Sequence, residues 1–183
     1  LEDDAGGRFK IDANTGVITV AKALDTGGSA TFTVRDEFTA QSFGNDDGTV
    51  NWAGPWFETN DDSDAGGGQV QVTGGVLRLD NHDNGSLESA TRAVDLSGAS
   101  SATLSFDFAM LGDLENNDSV LLEISNDGGV TFTTLEDFNI VDNATSGSYS
   151  VDVSAFATAD TQVRFAIGDK FRDGDEFFTV DNI

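Results

Sequence analysis

Along most of the chain, apolar and polar side chains alternate in short runs, and each run ends in a cluster of Gly, Asn and Asp. Leu104, Phe106, Phe108 and Met110 fall on one face of an extended segment, as do Val120, Leu122 and Ile124, and again Val163, Phe165 and Ile167. A period of two marks a half-buried strand, whereas an amphipathic helix needs apolar residues three and four apart. These residues are the expected core. The runs that read as strands are "ATFTVRDEFTA", "GQVQVT", "GVLRLDN", "SATRAVDLS", "ATLSFDFAML", "DSVLLEISND", "TFTTLEDF", "SYSVDVSAF", "TQVRFAIGD" and "EFFTVDNI". Short strands at this spacing, with turn residues between them and almost no helical signal, predict an all-β sandwich of two packed antiparallel sheets, a jelly roll.

The last run breaks its own pattern. In "EFFTVDNI", Phe177, Thr179, Asp181 and Ile183 share one face while Phe178, Val180 and Asn182 share the other, so an acid or an amide falls among large apolar groups either way. In the first run Asp36 interrupts the face of Phe32, Val34 and Phe38, with Arg35 and Glu37 on the other side. A lone buried carboxylate is costly and one paired with a cation is not.

The segment before residue 31 is different. "GGRFKIDANTGVITVA" reads as a hairpin around an Asn-Thr-Gly turn. Its Phe-x-Ile-Asp, Thr-Gly and Val-Ile-Thr-Val run resembles the middle of a bacterial cadherin-like repeat. Residues 1–30 are therefore expected to be a partial cadherin-like repeat, and 31–183 the jelly roll. "VRDEF", "NDDGTVNWAGPW", "TRAVDLSGASSATLSFDF", "LLEISNDGGVTFTTL", "VDVSAFATADTQVRFAI" and "FFTVDNI" resemble the jelly-roll modules found beside cadherin-like and RTX-type repeats in large bacterial surface adhesins. A similar architecture appears in MAM-like domains and in many carbohydrate-binding modules. The resemblance implies first and last strands lying side by side, with a structural calcium held by an acid near the first strand and the Asp of a final Asp-Asn pair. Those positions here are Asp36 or Glu37, and Asp181.

The formal charge is −24, from 33 acids against 9 bases. Nucleic acid and anionic membranes need a basic face, so both are excluded as expected partners. The acids lie mostly in loops between apolar runs, which points to divalent-metal loops or to a halophilic or marine surface. There is no cysteine, so stability must come from the core or from metal. No signal peptide, lipidation motif or apolar run of membrane-spanning length is present, and the chain reads as a piece of a longer extracellular protein, a monomeric module within it.

Three loops carry candidate chemistry beyond the Asp36/Asp181 pair. "LDNHDNG" offers Asp80 and Asp83 to calcium, but an EF-hand is rejected because its twelfth position is Thr91 and no helices flank it. His82, the only histidine, is an exposed candidate ligand contact, and without Cys or a second His it makes no zinc site. Residues 43–68 carry Trp52 and Trp56, either a stacking platform for a sugar or an anchor for a peptide, or packing at one end of the sandwich. Within them "NDDSDAGGG" reads as a flexible, solvated or ion-binding loop. "GDKFRDGDEFF" displays Phe171 and Arg172 among Asp169, Asp173, Asp175 and Glu176, a ligand-binding tip or an ordinary hairpin loop.

Catalysis has no support: no cysteine, one histidine and no Gly-x-Ser-x-Gly elbow. The expectation is a calcium-binding, non-enzymatic adhesion module that binds a glycan or peptide on a neighbouring cell. Its rivals are a ligand-free spacer and a carbohydrate-binding accessory domain of a secreted glycan-degrading enzyme.

Overall fold

The computed structural model describes residues 9–11, 18–20, 30–80, 87–116, 118–169 and 175–183. It divides into two compact units, Leu1–Thr31 and Phe32–Ile183. In the first, β1 (Phe9–Ile11) and β2 (Ile18–Val20) pair antiparallel, with Phe9 opposite Val20 and Ile11 opposite Ile18. The Asn-Thr-Gly turn expected between them lies outside the described residues.

The second unit is a jelly-roll sandwich of two five-stranded antiparallel sheets. Its strands are β3 (Phe57–Thr59), β4 (Val70–Thr73), β5 (Val76–Leu79), β6 (Ser89–Val94), β7 (Thr103–Leu111), β8 (Ser119–Ser125), β9 (Thr133–Phe138), β10 (Ser146–Asp152), β11 (Thr161–Asp169) and β12 (Phe177–Asp181). One sheet runs β10-β7-β12-β5-β4 and the other β3-β6-β11-β8-β9. The single helical turn among the described residues is Ser154–Phe156. Gly74 and Gly75, both at positive φ, make the two-residue turn between β4 and β5 that a right-twisted hairpin favours.

The alternation places the core as expected. Leu104, Phe106 and Met110 of β7, Val120, Leu122 and Ile124 of β8, and Val163, Phe165 and Ile167 of β11 are all buried, and Phe108 packs against them half-buried. The centre is aromatic: the Phe106 and Phe165 rings meet edge-on at 5.0 Å, and the Phe138 ring lies 4.6 Å from Phe108 and 5.3 Å from Phe178. Phe178 and Val180 are the inward residues of β12, so Asp181 projects from its outer face.

Two segments differ from the sequence expectation. "ATFTVRDEFTA" forms no regular strand. Its backbone bonds instead to the 47–50 turn, through Asp47 N to Arg35 O and Thr49 N to Thr33 O, and to the C-terminus, where Asp36 N donates to Ile183 O at 2.8 Å. The first and last runs are thus neighbours through this bond. The second difference is β3, a three-residue edge strand inside a region read as loop. Three residues are too few for alternation to show.

Candidate functional site

Asp36 sits at the head of the sandwich and is 0% exposed. Its Oδ1 accepts the Phe38 N–H at 2.8 Å, and its Oδ2 accepts the Trp56 indole N–H at 3.0 Å and the Arg92 guanidinium. Arg92 lies on the inward face of β6 because the strand alternates Ala90, Arg92 and Val94 toward the core. Its other donors reach the Gly54 carbonyl at 2.9 Å and the Asn45 carbonyl at 2.7 Å, and its guanidinium lies 4.7 Å from the Trp52 ring centre. Burial pushes the Asp36 carboxyl up, opposed by the Phe38 N–H, Trp56 and Arg92; burial also pushes the Arg92 guanidinium down. The counter-charge that the sequence reading sought in a calcium ion is supplied here by an arginine. With both oxygens of Asp36 engaged by protein donors, the residue does not fit as an ion ligand.

Glu37 faces the other way, paired with Arg35 at 3.1 Å on the surface. Asp181 is half-buried on the outer face of β12, in register with Asp107 of β7, and its Oδ1 accepts its neighbour's N–H, that of Asn182, at 2.7 Å. Asp36 and Asp181 are therefore brought onto adjacent segments with side chains on opposite sides, one inward and one outward. Around Asp181 the outer face is polar: Asn182 donates to Asp107 at 3.0 Å, Ser148 donates to the same carboxylate, and Arg35 donates to Asn182 at 3.3 Å. The Ser148 hydroxyl, then Asn182, hold the Asp107 carboxyl below its usual range.

Trp52 and Trp56 are core residues, 8% and 3% exposed, with Trp56 between Phe38 and Phe165. Asp80 is buried at the end of β5 and pairs with Arg78 at 2.9 Å, while Arg78 stacks 4.2 Å above the Phe177 ring. His82, Asp83, Phe171, Arg172 and Asp173 lie outside the described residues.

Among the described residues, two acidic groups are compact enough to hold a metal ion. One is Glu115, Asp118 and Glu176, where the β7–β8 connection meets the start of β12. Asp118 and Glu176 are fully buried, and Asp118 accepts the Glu115 N–H. The shallow groove beside it, about 320 Å³, is lined by acids, amides and Val141, with no aromatic ring.

The other group is Glu58, Asp61 and Asp62. Glu58 is the central, inward residue of β3 and is 4% exposed. Its Oε2 accepts the Ser63 N–H at 2.5 Å, and its Oε1 is buried with no hydrogen-bond partner. Burial, and after it the nearby Asp61, Asp62 and Asp64 charges, push its carboxyl up to about 7, against the pull of the Ser63 N–H. Asp61 Oδ2 accepts the N–H groups of Gln69 and Val70 at 2.7 and 2.6 Å, which fixes the entry to β4. Asp62 Oδ1 accepts the Asp64 N–H at 2.8 Å. The loop closes over these acids so tightly that a Cβ on Gly67 would lie 2.7 Å from Asp62 Oδ2, and one on Gly68 2.2 Å from Asp61 Oδ1. Sequence reading saw "NDDSDAGGG" only as a flexible, solvated or ion-binding loop. Glu58 escapes that reading because three residues, "FET", are too few to show which of them faces inward.

The outer face of the β3-β6-β11-β8-β9 sheet carries a row of side chains in register: Phe57, Thr91, Arg164 and Glu123. Phe57 is 65% exposed. Arg164 pairs with Glu123 at 2.7 Å and lies 3.6 Å above the Phe132 ring. Ser89 and Ala93 on β6, and Ala166 and Gln162 on β11, flank the row. Two rings thus border a shallow strip with hydrogen-bonding groups along it.

A scan against protein-family models and a search of curated proteins give no match. Among solved structures the chain is similar to a variant of CBM29-2, a family 29 carbohydrate-binding module, at 17% identity and a TM-score of 0.50, covering 84% of this chain and 89% of that one. It is also similar to the K1 cleaved adhesin domain of Lys-gingipain from Porphyromonas gingivalis W83, at 14% identity and a TM-score of 0.50, covering 84% and 96%. At such identities the likeness is one of fold, the jelly-roll sandwich described above.

Proposed function

We propose that this chain is a non-catalytic recognition module of an extracellular adhesion protein, and that it binds a glycan on the outer face of the β3-β6-β11-β8-β9 sheet. The observation that carries this reading is Phe57, a phenyl ring 65% exposed on the sheet face, on a strand paired with β6 opposite Thr91, which in turn lies opposite Arg164. A sugar ring stacks its C–H face on an exposed aromatic surface and offers its hydroxyls to adjacent polar groups. Arg164, its side chain 29% exposed and paired with Glu123, supplies donors beside it, and Ser89, Ala93 and Ala166 leave room between. Strands lie about 4.8 Å apart, so the strip from Phe57 to Arg164 spans about 10 Å, room for a short run of sugar units. The two fold neighbours, a carbohydrate-binding module and an adhesin domain, agree in kind. Calcium is the second element of the reading, a millimolar extracellular ion whose charge offsets an acidic surface of −24.

The test is a glycan array probed with wild type and Phe57→Ala in calcium. Retention of a glycan class by wild type and its loss in Phe57→Ala, with unchanged melting temperature, is the expected result. Wild-type protein that retains no glycan favours the spacer role, and retention unaffected by Phe57→Ala places the binding elsewhere.

A further inference from the structure

We propose that Glu58, Asp61 and Asp62 form a calcium site that locks the edge strand β3 to the loop behind it. The inference deepens the calcium part of the reading above and rests on it, but it does not depend on the glycan face. Two observations carry it independently. The first is geometric: one carboxylate oxygen from each of the three residues lies within 4.8 Å of the others. Two oxygens on opposite sides of one calcium ion, each at about 2.4 Å, are about that far apart. The second is Glu58 Oε1, a carboxylate oxygen without a hydrogen-bond partner in a side chain 4% exposed. A buried ionised oxygen left bare costs more than a hydrogen bond returns, and a cation at this place removes that cost.

Among the described residues no protein cation serves the purpose. The four arginines described in the sandwich pair elsewhere: Arg35 with Glu37, Arg78 with Asp80, Arg92 with Asp36, and Arg164 with Glu123. The donor set is all oxygen, with neither imidazole nor thiolate, which selects a hard cation over zinc or copper. The carboxylates come from a strand and an irregular loop and not from a symmetric cage. That suits calcium, which tolerates irregular geometry, better than magnesium, which demands an octahedron and keeps its water. Gly67 and Gly68 allow the loop backbone to close on Asp61 and Asp62; side chains there would fill the space around the carboxylates.

The site has a structural consequence. β3 is three residues long and pairs only with β6. Its outward residue is Phe57 and its next, inward residue is Glu58. An ion that ties Glu58 to Asp61 and Asp62 therefore fixes the strand that displays Phe57.

The experiment is calorimetric titration of calcium into the full chain after EDTA treatment and dialysis, for wild type, Glu58→Gln, Asp62→Asn and the control Asp95→Asn, an exposed acid in another loop. Glu58→Gln keeps an acceptor for the Ser63 N–H, and Asp62 is exposed, so at least one variant keeps the fold, which circular dichroism checks. The expected result is that both variants lose one site or bind it at least tenfold more weakly, while Asp95→Asn matches wild type. Thermal melts follow the same order, with the calcium-induced rise in Tm reduced in Glu58→Gln and Asp62→Asn and magnesium ineffective. Superposable isotherms for wild type and both variants overturn the proposal, as does a wild type that takes no calcium. An empty glycan array leaves the ion site standing; glycan retention by a chain whose calcium isotherm is unchanged in Glu58→Gln overturns the ion site alone.

Discussion

Arg92→Met tests the internal ion pair. Methionine keeps most of the length and apolar bulk of arginine, so the cavity effect is small and the change is mainly electrostatic. Three hydrogen-bonded groups lose their donor: the Asp36 carboxylate, the Gly54 carbonyl and the Asn45 carbonyl. Removing one partner of a buried ion pair costs about 3–5 kcal/mol, because the other charge stays buried without compensation. Asp36 is 0% exposed and keeps only the Phe38 and Trp56 N–H groups, which places the loss in the upper part of that range. For a domain of this size 1 kcal/mol moves the melting temperature by about 2–4 °C, so Arg92→Met should melt about 10 °C or more below wild type. Scanning calorimetry measures it. The double variant Asp36→Asn/Arg92→Met removes the stranded charge and should recover part of the loss, giving a favourable coupling in the cycle. A single variant within 2–3 °C of wild type, or a double variant no better than the single, would refute the assignment of Asp36 and Arg92 as a mutually dependent pair.

In EDTA, wild type should lose stability as pH rises. The Glu58 carboxyl is held at about 7 in the folded chain against its ordinary 4.5, so between these values the folded state keeps a proton that the unfolded state releases. Stability falls through that window, by about 3 kcal/mol at most. Glu58→Gln flattens the slope in melts at pH 5 and pH 8, and an unchanged slope rejects the assignment. Asp127 has the opposite sign: its Thr131 hydroxyl and N–H, then Ser125, hold its carboxyl at about 2. Asp127→Asn should therefore lower the melting temperature at pH 7 and make no difference once the pH falls below about 2, where wild type has lost the same contribution. Gly48→Ala should destabilise through backbone overlap, because its Cβ would lie 2.2 Å from the Thr33 carbonyl oxygen; urea unfolding should show a loss of about 1–3 kcal/mol.

The layered fold was legible because alternation is a local property. Phe106, Phe108, Leu122, Phe165 and Phe178 announce their strands without knowledge of their partners. The charged interior was only half legible. That Asp36 interrupts an apolar face is visible in the sequence; that Arg92, at the inward position of β6, meets it is not. The pairing spans 56 residues and depends on which strand neighbours which. Likewise "FET" gives no sign that it is an edge strand, because its pairing with β6 is supplied by a partner more than thirty positions away. The tryptophans illustrate the same limit: an indole in a loop segment has the same spelling whether it stacks on a sugar or, as Trp56 does, donates to a buried carboxylate.

Two buried acids, Asp36 and Glu58, are answered differently. Asp36 is neutralised from within by Arg92, so the loop carrying Asn45, Gly54 and the tryptophans is held in any medium. Glu58 has no arginine partner among the described residues, and on the calcium proposal its cation comes from the surroundings. Loss of that ion leaves a carboxylate that resists ionisation beside Asp61 and Asp62, and the strand it anchors is the one displaying Phe57. A chain with a surplus of 24 negative charges pays little to attract calcium outside a cell and finds little of it inside. On the two proposals taken together, core stability and ligand display are separated: the first rests on the sandwich, and the second would follow the composition of the medium.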